Sequence, residues 1–198
     1  HDRRYNDSAD FESRMYAKAT EIETYLNNDP QKPFIHCEYS HAMGNSCGAM
    51  HKYTDLAHKY PLYQGGFLWD YIDQGILAKD CYGEEYIAFG GDFDDRPTDY
   101  NFCTNGIVFA DRKPSPKIAE VKYLYQNFRI TPDQTGATIE NDSLFTNANH
   151  YTLVWSLEKD GCKQISGEMT VDVEPGIKKY IPIAYPVVED GGVYTYNV

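Results

Sequence analysis

Polar and apolar positions along the first two-thirds of the chain follow two rhythms. FESRMY (11–16) has the short mixed pattern of a strand. KATEIETYLNN (18–28) repeats at helical spacing, with Ile22, Tyr25 and Leu26 on one face. Asp29-Pro30 stops that helix, and Lys32-Pro33 leads into a second strand, FIHC (34–37). In CGAMHKYTDLAHKY (47–60) the residues Cys47, Met50, Tyr53, Leu56, Ala57 and Tyr60 recur at helical spacing. A second helix is expected there, capped by Asn45 or Ser46 and ended by Pro61. QGGFLWDYI (64–72) reads as a third strand, apolar throughout like one covered on both faces. A polar, Asp- and Gly-rich loop follows to Arg112, and Pro114 and Pro116 open a last helix, KIAEVKYLYQNF (117–128). Repeated strand–helix units predict parallel α/β architecture.

The rhythm changes near Arg129. ATIEND (137–142), HYTLVWSLEKDG (150–161), KQISGEMTVDV (163–173), KKYIPI (178–183) and GVYTYNV (192–198) alternate with period two between turn signals. Tyr151, Leu153 and Trp155 should face one way and Thr152, Val154 and Ser156 the other, with Asp160-Gly161 as a hairpin turn. The expected domains are 1–128, α/β, and 129–198, an all-β antiparallel sandwich still in a strand at Val198.

Composition narrows the function classes. A net charge of −12 over 198 residues argues against binding a phosphate backbone. The 41% of hydrophobic residues can build a core, and no apolar run approaches the roughly 18 residues of a membrane span. Five cysteines without CxxC spacing read as free thiols and point to the cytoplasm, with a periplasmic parent as the alternative. The start, HDRRYNDSADF, has neither an initiator Met nor a signal-like pattern and is expected to lie inside a longer protein. The sequons at Asn6 and Asn141 are too common a pattern to imply glycosylation.

Candidate chemistry centres on Glu38, which directly follows a short apolar run. A carboxylate is costly to bury unless paired or used. In a β/α barrel it would sit at the C-terminal strand end, where barrel enzymes place their catalytic groups, and Trp69-Asp70 would end the next strand. Three βα units cannot close an eight-stranded barrel of about 250 residues, so other units must complete it. A zinc site from His36, Glu38 and His41 is disfavoured, since residues five apart do not share a helix face as in HExxH.

CEYSHAMGNS (37–46), QGGFLWDYIDQG (64–75) and GGDFDDRPTDYNFCTNGIVFADR (90–112) resemble the lac-type β-galactosidases of glycoside hydrolase family 2, as does MYAKATEI (15–22). The resemblance runs from about Ser13 to Phe128 and continues more weakly beyond. It implies the last three βα units of a (β/α)8 TIM barrel followed by an incomplete immunoglobulin-like sandwich, from a retaining hydrolase of terminal β-galactosides such as lactose. Retention needs two carboxyl groups about 5–5.5 Å apart.

By position, Glu38 corresponds to the nucleophile and Tyr16 to the tyrosine that orients it. Glu38, Tyr39, Ser40, His41 and Trp69 correspond to the substrate-binding positions. The Phe102 carbonyl and the Asn105 side-chain oxygen match ligands of a sodium ion near the sugar's 6-hydroxyl. The general acid, the ligands of the catalytic Mg2+ and one sodium-binding aspartate lie upstream in the family. A lone chain of this kind is therefore expected to be inactive and to need the remainder of its parent chain, which the family assembles as a homo-oligomer. Thr98 replaces an asparagine associated with a second magnesium. His36 replaces an aliphatic residue and is expected to share a strand face with Glu38, where it would bear on that carboxylate's proton affinity. The competing reading is a non-catalytic carbohydrate-binding or scaffold module.

Overall fold

The computed structural model describes residues 8–188 and 191–198, in two compact units that meet between Tyr125 and Gln126. The Asn6 sequon lies outside the described residues.

The first unit is built on a three-stranded parallel sheet in the order β1 (Glu12–Met15), β2 (Phe34–Tyr39), β3 (Tyr63–Leu68). Strands β1 and β2 are each followed by a return segment that brings the chain back to start the next parallel strand, the βα crossover expected for parallel pairing. Helix α1 (Ala19–Asn27) buries Ile22 and Leu26, and Asp29 in the left-handed region turns the chain before Pro30. Helix α2 (His51–Lys59) buries Leu56. These residues pack with Phe34 and Tyr63 into one core, so both helices cover the same sheet face. Burying each large aliphatic side chain contributes roughly 1.5–3 kcal/mol.

Several expected boundaries move. Helix α2 starts at His51, not at an Asn45 or Ser46 cap. Cys47 and Ala49 adopt left-handed backbone, which breaks a helix there. Ser46 Oγ instead donates to the His41 and Met43 carbonyls (2.7 and 2.6 Å), and the Met50 amide donates to the Glu120 carboxylate (3.2 Å). Strand β3 starts at Tyr63 and stops at Leu68, and only Tyr63 along it is buried.

The polar loop is not structureless. It holds an antiparallel hairpin, β4 (Ile76–Lys79) with β5 (Glu85–Ala88). Beyond it, Asn105–Val108 lies against residues 70–73 through four backbone bonds. Asp70 N donates to Asn105 O, Ile107 N to Asp70 O, Val108 N to Tyr71 O and Asp73 N to Val108 O (2.9–3.1 Å). A parallel bridge joins Ile72 to Val108. Helix α3 (Ile118–Leu124) then packs Val121 with Ile107 and Tyr39. Among the described residues the sheet is open, not a closed barrel.

The second unit holds two three-stranded antiparallel sheets. One orders β10 (Lys178–Pro182), β7 (Gly136–Asn141) and β6 (Phe128–Pro132); the other orders β11 (Tyr194–Asn197), β8 (Thr152–Lys159) and β9 (Cys162–Thr170). Ala137, Ile139, Leu153, Val171, Val173, Ile181 and Ile183 from both sheets share one core. Leu153 and Trp155 face it as the alternation requires, whereas Ser156 is buried next to Leu157. Strand β6 opens at Phe128, and α3 ends at Leu124, short of the helix expected over 117–128. Asp160 and Gly161 form the expected two-residue turn, both with positive φ, linking Lys159 to its partner Cys162. The Asn141 side chain is buried and fully engaged, donating to Thr146 O and Val173 O and accepting from Ser143 N.

Candidate active site

Three parallel strands ending side by side place three residues at one edge. Tyr16 directly follows β1, Glu38 is the penultimate residue of β2, and Trp69 directly follows β3. Their strands are parallel neighbours, so all three sit at the C-terminal side of the sheet. Tyr16 N donates to Glu38 O at 2.9 Å, and Trp69 N to Tyr39 O at 3.3 Å. Burial first, then the neighbouring Glu38 carboxylate, pushes the Tyr16 phenol far above its ordinary pKa of 10. Tyr16 and Ser40 both take left-handed backbone as the chain leaves its strand.

His41 joins the pair. Its ring lies 5.8 Å from that of Tyr16 and 5.8 Å from that of Phe102, edge-on to the latter. Its Nδ1 accepts from the Met43 amide at 3.2 Å, which assigns the ring proton to Nε2 when His41 is neutral. The loop is tied down where Ala42 N donates to Trp69 O at 2.8 Å. Asp70 follows Trp69 across a cis peptide bond, and its carboxyl is held above the ordinary carboxylate value by burial, then by Asp73.

One expected site residue, Tyr39, and the expected neighbour of Glu38, His36, are placed differently. Tyr39 is buried with its ring in the core behind the sheet, and its hydroxyl bonds that of Tyr125. The structure does not bring it to Glu38. His36 does not share the Glu38 face either. Cys37 is an extra residue in β2, opposite neither Arg14 nor Met15, so the side-chain alternation slips by one between His36 and Glu38. His36 therefore points the same way as Tyr39, on which it stacks at 5.7 Å, with Tyr53 of α2 at 5.6 Å. It is fully buried, and neither ring nitrogen has a hydrogen-bond partner among the described residues.

The FCTNG segment (102–106) returns to the site beside Asp70. Thr104 has positive φ, and Gly106 is required because a Cβ there would lie 2.2 Å from Asp73 N and 2.3 Å from Val108 O. Asn105 is fully buried, its Nδ2 donates to Gln74 Oε1 at 3.1 Å, and its Oδ1 has no hydrogen-bond partner among the described residues. An orphaned buried carboxamide oxygen is the donor type a hard cation takes. Thr98, by contrast, accepts the Tyr100 amide on its hydroxyl at 3.3 Å. Among the described residues no group of three or more His, Cys, Asp and Glu side chains is placed to hold a metal ion. Gln74 was not expected from the sequence; only its place two residues before the hairpin could have drawn notice.

Residues 1–130 match the family model for the glycosyl hydrolases family 2 TIM barrel domain, and residues 137–198 match that for domain 4 of β-galactosidase. The chain belongs to glycosyl hydrolase family 2. Among its relatives, a β-galactosidase of Halalkalibacterium halodurans is 58% identical over 182 residues, covering 92% of this chain and 18% of that protein. One of Clostridium acetobutylicum is 56% identical over 172 residues, covering 87% and 19%. One of Lactobacillus delbrueckii subsp. bulgaricus is 50% identical over 200 residues, covering 100% and 19%. The family 2 chain thus spans about a fifth of the length of the curated relatives it matches. All five of its cysteines are unpaired, and no described helix is long and apolar enough to cross a membrane.

Proposed function

We propose that this chain is part of a retaining β-galactosidase in which Glu38 is the nucleophile. The observation that carries the reading is the Tyr16–Glu38 pair at adjacent parallel strand ends, with His41 alongside. Glu38 attacks the anomeric carbon of a terminal galactoside as the glycosidic bond breaks. The leaving oxygen takes its proton from a second carboxylic acid, and water later releases galactose from the glycosyl-enzyme ester. Tyr16 stays protonated and donates to Glu38, so one carboxylate oxygen is held and the other is aimed at the sugar. His41 offers Nε2–H to a sugar hydroxyl, and Trp69 offers an apolar wall. Tyr39 and Ser40 carry the strand end into the His41 loop.

The Phe102 carbonyl and Asn105 Oδ1 would hold a monovalent cation, sodium by family resemblance, whose chemistry is to position a sugar hydroxyl. The general acid and the magnesium ligands come from the remainder of the parent chain. That remainder completes the barrel, makes the β unit a full immunoglobulin-like sandwich, and assembles as a cytoplasmic homo-oligomer. The isolated 198-residue chain has no turnover, because loss of a general acid alone costs roughly 10²–10⁴ in rate. Turnover of an aryl galactoside by the purified chain, free of host enzyme, would sink that part of the reading. In the parent enzyme Glu38→Gln should abolish turnover with the melting temperature kept, because an amide matches the shape of a carboxylate but not its nucleophilicity. A variant that keeps most of its activity would reject the role.

A further inference from the structure

A carboxamide can bind a cation only through its oxygen, and the side chain's shape does not fix which end points where. Asn105 needs its Oδ1 turned outward, and something must hold it so. Its Nδ2 is engaged by Gln74 Oε1 at 3.1 Å. With Gln74 Oε1 taking that N–H, the buried Asn105 Oδ1 is left without a hydrogen-bond partner among the described residues and open to a ligand.

The frame carrying the two residues is stiff. Four backbone hydrogen bonds lace residues 70–73 to 105–108. Asp73 Oδ1 accepts from Gln74 N at 2.8 Å and from Cys103 Sγ at 3.4 Å, tying both segments to one carboxylate. At Gly106 a Cβ would lie 2.2 Å from Asp73 N, so the two segments pack too closely to slide.

We propose that Gln74 is a positioning residue: its side-chain oxygen, by accepting the Asn105 Nδ2–H, locks Asn105 with the carboxamide oxygen free for a monovalent cation beside the substrate. This rests on the reading of Asn105 as a cation ligand, and the test separates the two. In the full-length parent, binding of a non-hydrolysed thiogalactoside is measured by calorimetry against sodium at constant ionic strength, with a large organic cation as replacement. Losing one hydrogen bond of about 0.5–1.5 kcal/mol should raise the sodium needed for half-maximal tightening roughly 3–10-fold in Gln74→Leu. Saturating sodium should restore wild-type affinity. Gln74→Glu, which still offers Asn105 an acceptor, should shift the midpoint less than Gln74→Leu does. An unchanged midpoint in Gln74→Leu, with the sodium response lost in Asn105→Ala, overturns the role of Gln74 and leaves the cation reading standing. So does a loss of affinity that saturating sodium does not restore. A full sodium response in Asn105→Ala overturns both.

Discussion

Tyr16 and Glu38 are joined at the sheet edge, where the Tyr16 amide donates to the Glu38 carbonyl at 2.9 Å; the proposed role of Tyr16 adds a second bond, from its phenol to the Glu38 carboxylate. The first bond belongs to the sheet edge and any residue could make it. The proposed second bond needs the hydroxyl. Tyr16→Phe should therefore keep the fold and lose a hydrogen bond to a charged group, about 1.5–3 kcal/mol. In the parent enzyme kcat should fall roughly 10–150-fold, with a smaller change in KM. Because the phenol is pushed above 10, its ionisation should give no alkaline loss of activity below that pH. Steady-state kinetics of both proteins across pH check this; a Tyr16→Phe enzyme with unchanged kcat would contradict the orienting role.

His36 makes a separate prediction about acid. Burial without a partner lowers its pKa from 6.5 to about 4. Below about pH 6.5 the unfolded chain takes up a proton that the folded chain refuses. Stability should then fall with falling pH until about pH 4, where folded His36 is protonated as well, a total loss of about 3 kcal/mol. Tyr39 and Tyr53, packed against it, are pushed upward and stay neutral in that window. His36→Leu should remove this contribution, so its advantage in urea denaturation should grow from pH 7 to pH 4.5. Parallel pH profiles for the two proteins would contradict it.

Gly66 is expected to be intolerant of a side chain. It pairs with His36 across β2 and β3, and a Cβ there would lie 2.4 Å from His36 Cβ and 3.0 Å from His36 O. Neither atom is the end of a flexible chain, so the strand carrying Glu38 must move. Gly66→Ala should cost about 1–3 kcal/mol by overpacking and also lower kcat in the parent enzyme. Thermal unfolding and kinetics measured on one preparation test both; an unaffected melting temperature would show that the strands can separate freely.

The parallel sheet was legible because each apolar run ends at a chemically distinctive residue, and the hydrophobic faces of α1 and α2 follow from 3.6-residue spacing. What escaped has specific causes. The β4–β5 hairpin hides because Ile76 and Leu77 are largely exposed, leaving no buried face to mark it. Strand β6 hides because Phe128 fits the end of a helical pattern. The start of α2 was misread because its partner is Glu120, 70 residues away, and a cap from another helix leaves no local signal. The direction of His36 was misread because one bulged residue reverses the alternation. Glu38, Tyr16 and His41 were legible through motif resemblance, whereas the Gln74–Asn105 contact depends on a loop returning about 30 residues later.

The most direct measurement is covalent labelling of the nucleophile in the full-length parent enzyme. A 2-deoxy-2-fluoro-galactosyl fluoride forms the glycosyl-enzyme ester but slows its hydrolysis, so the intermediate accumulates. Peptide mass mapping should find the added fluorosugar on Glu38, with activity lost in proportion to label and recovered as the ester turns over. A label on any other carboxylate, or inactivation without a covalent adduct, would contradict the assignment.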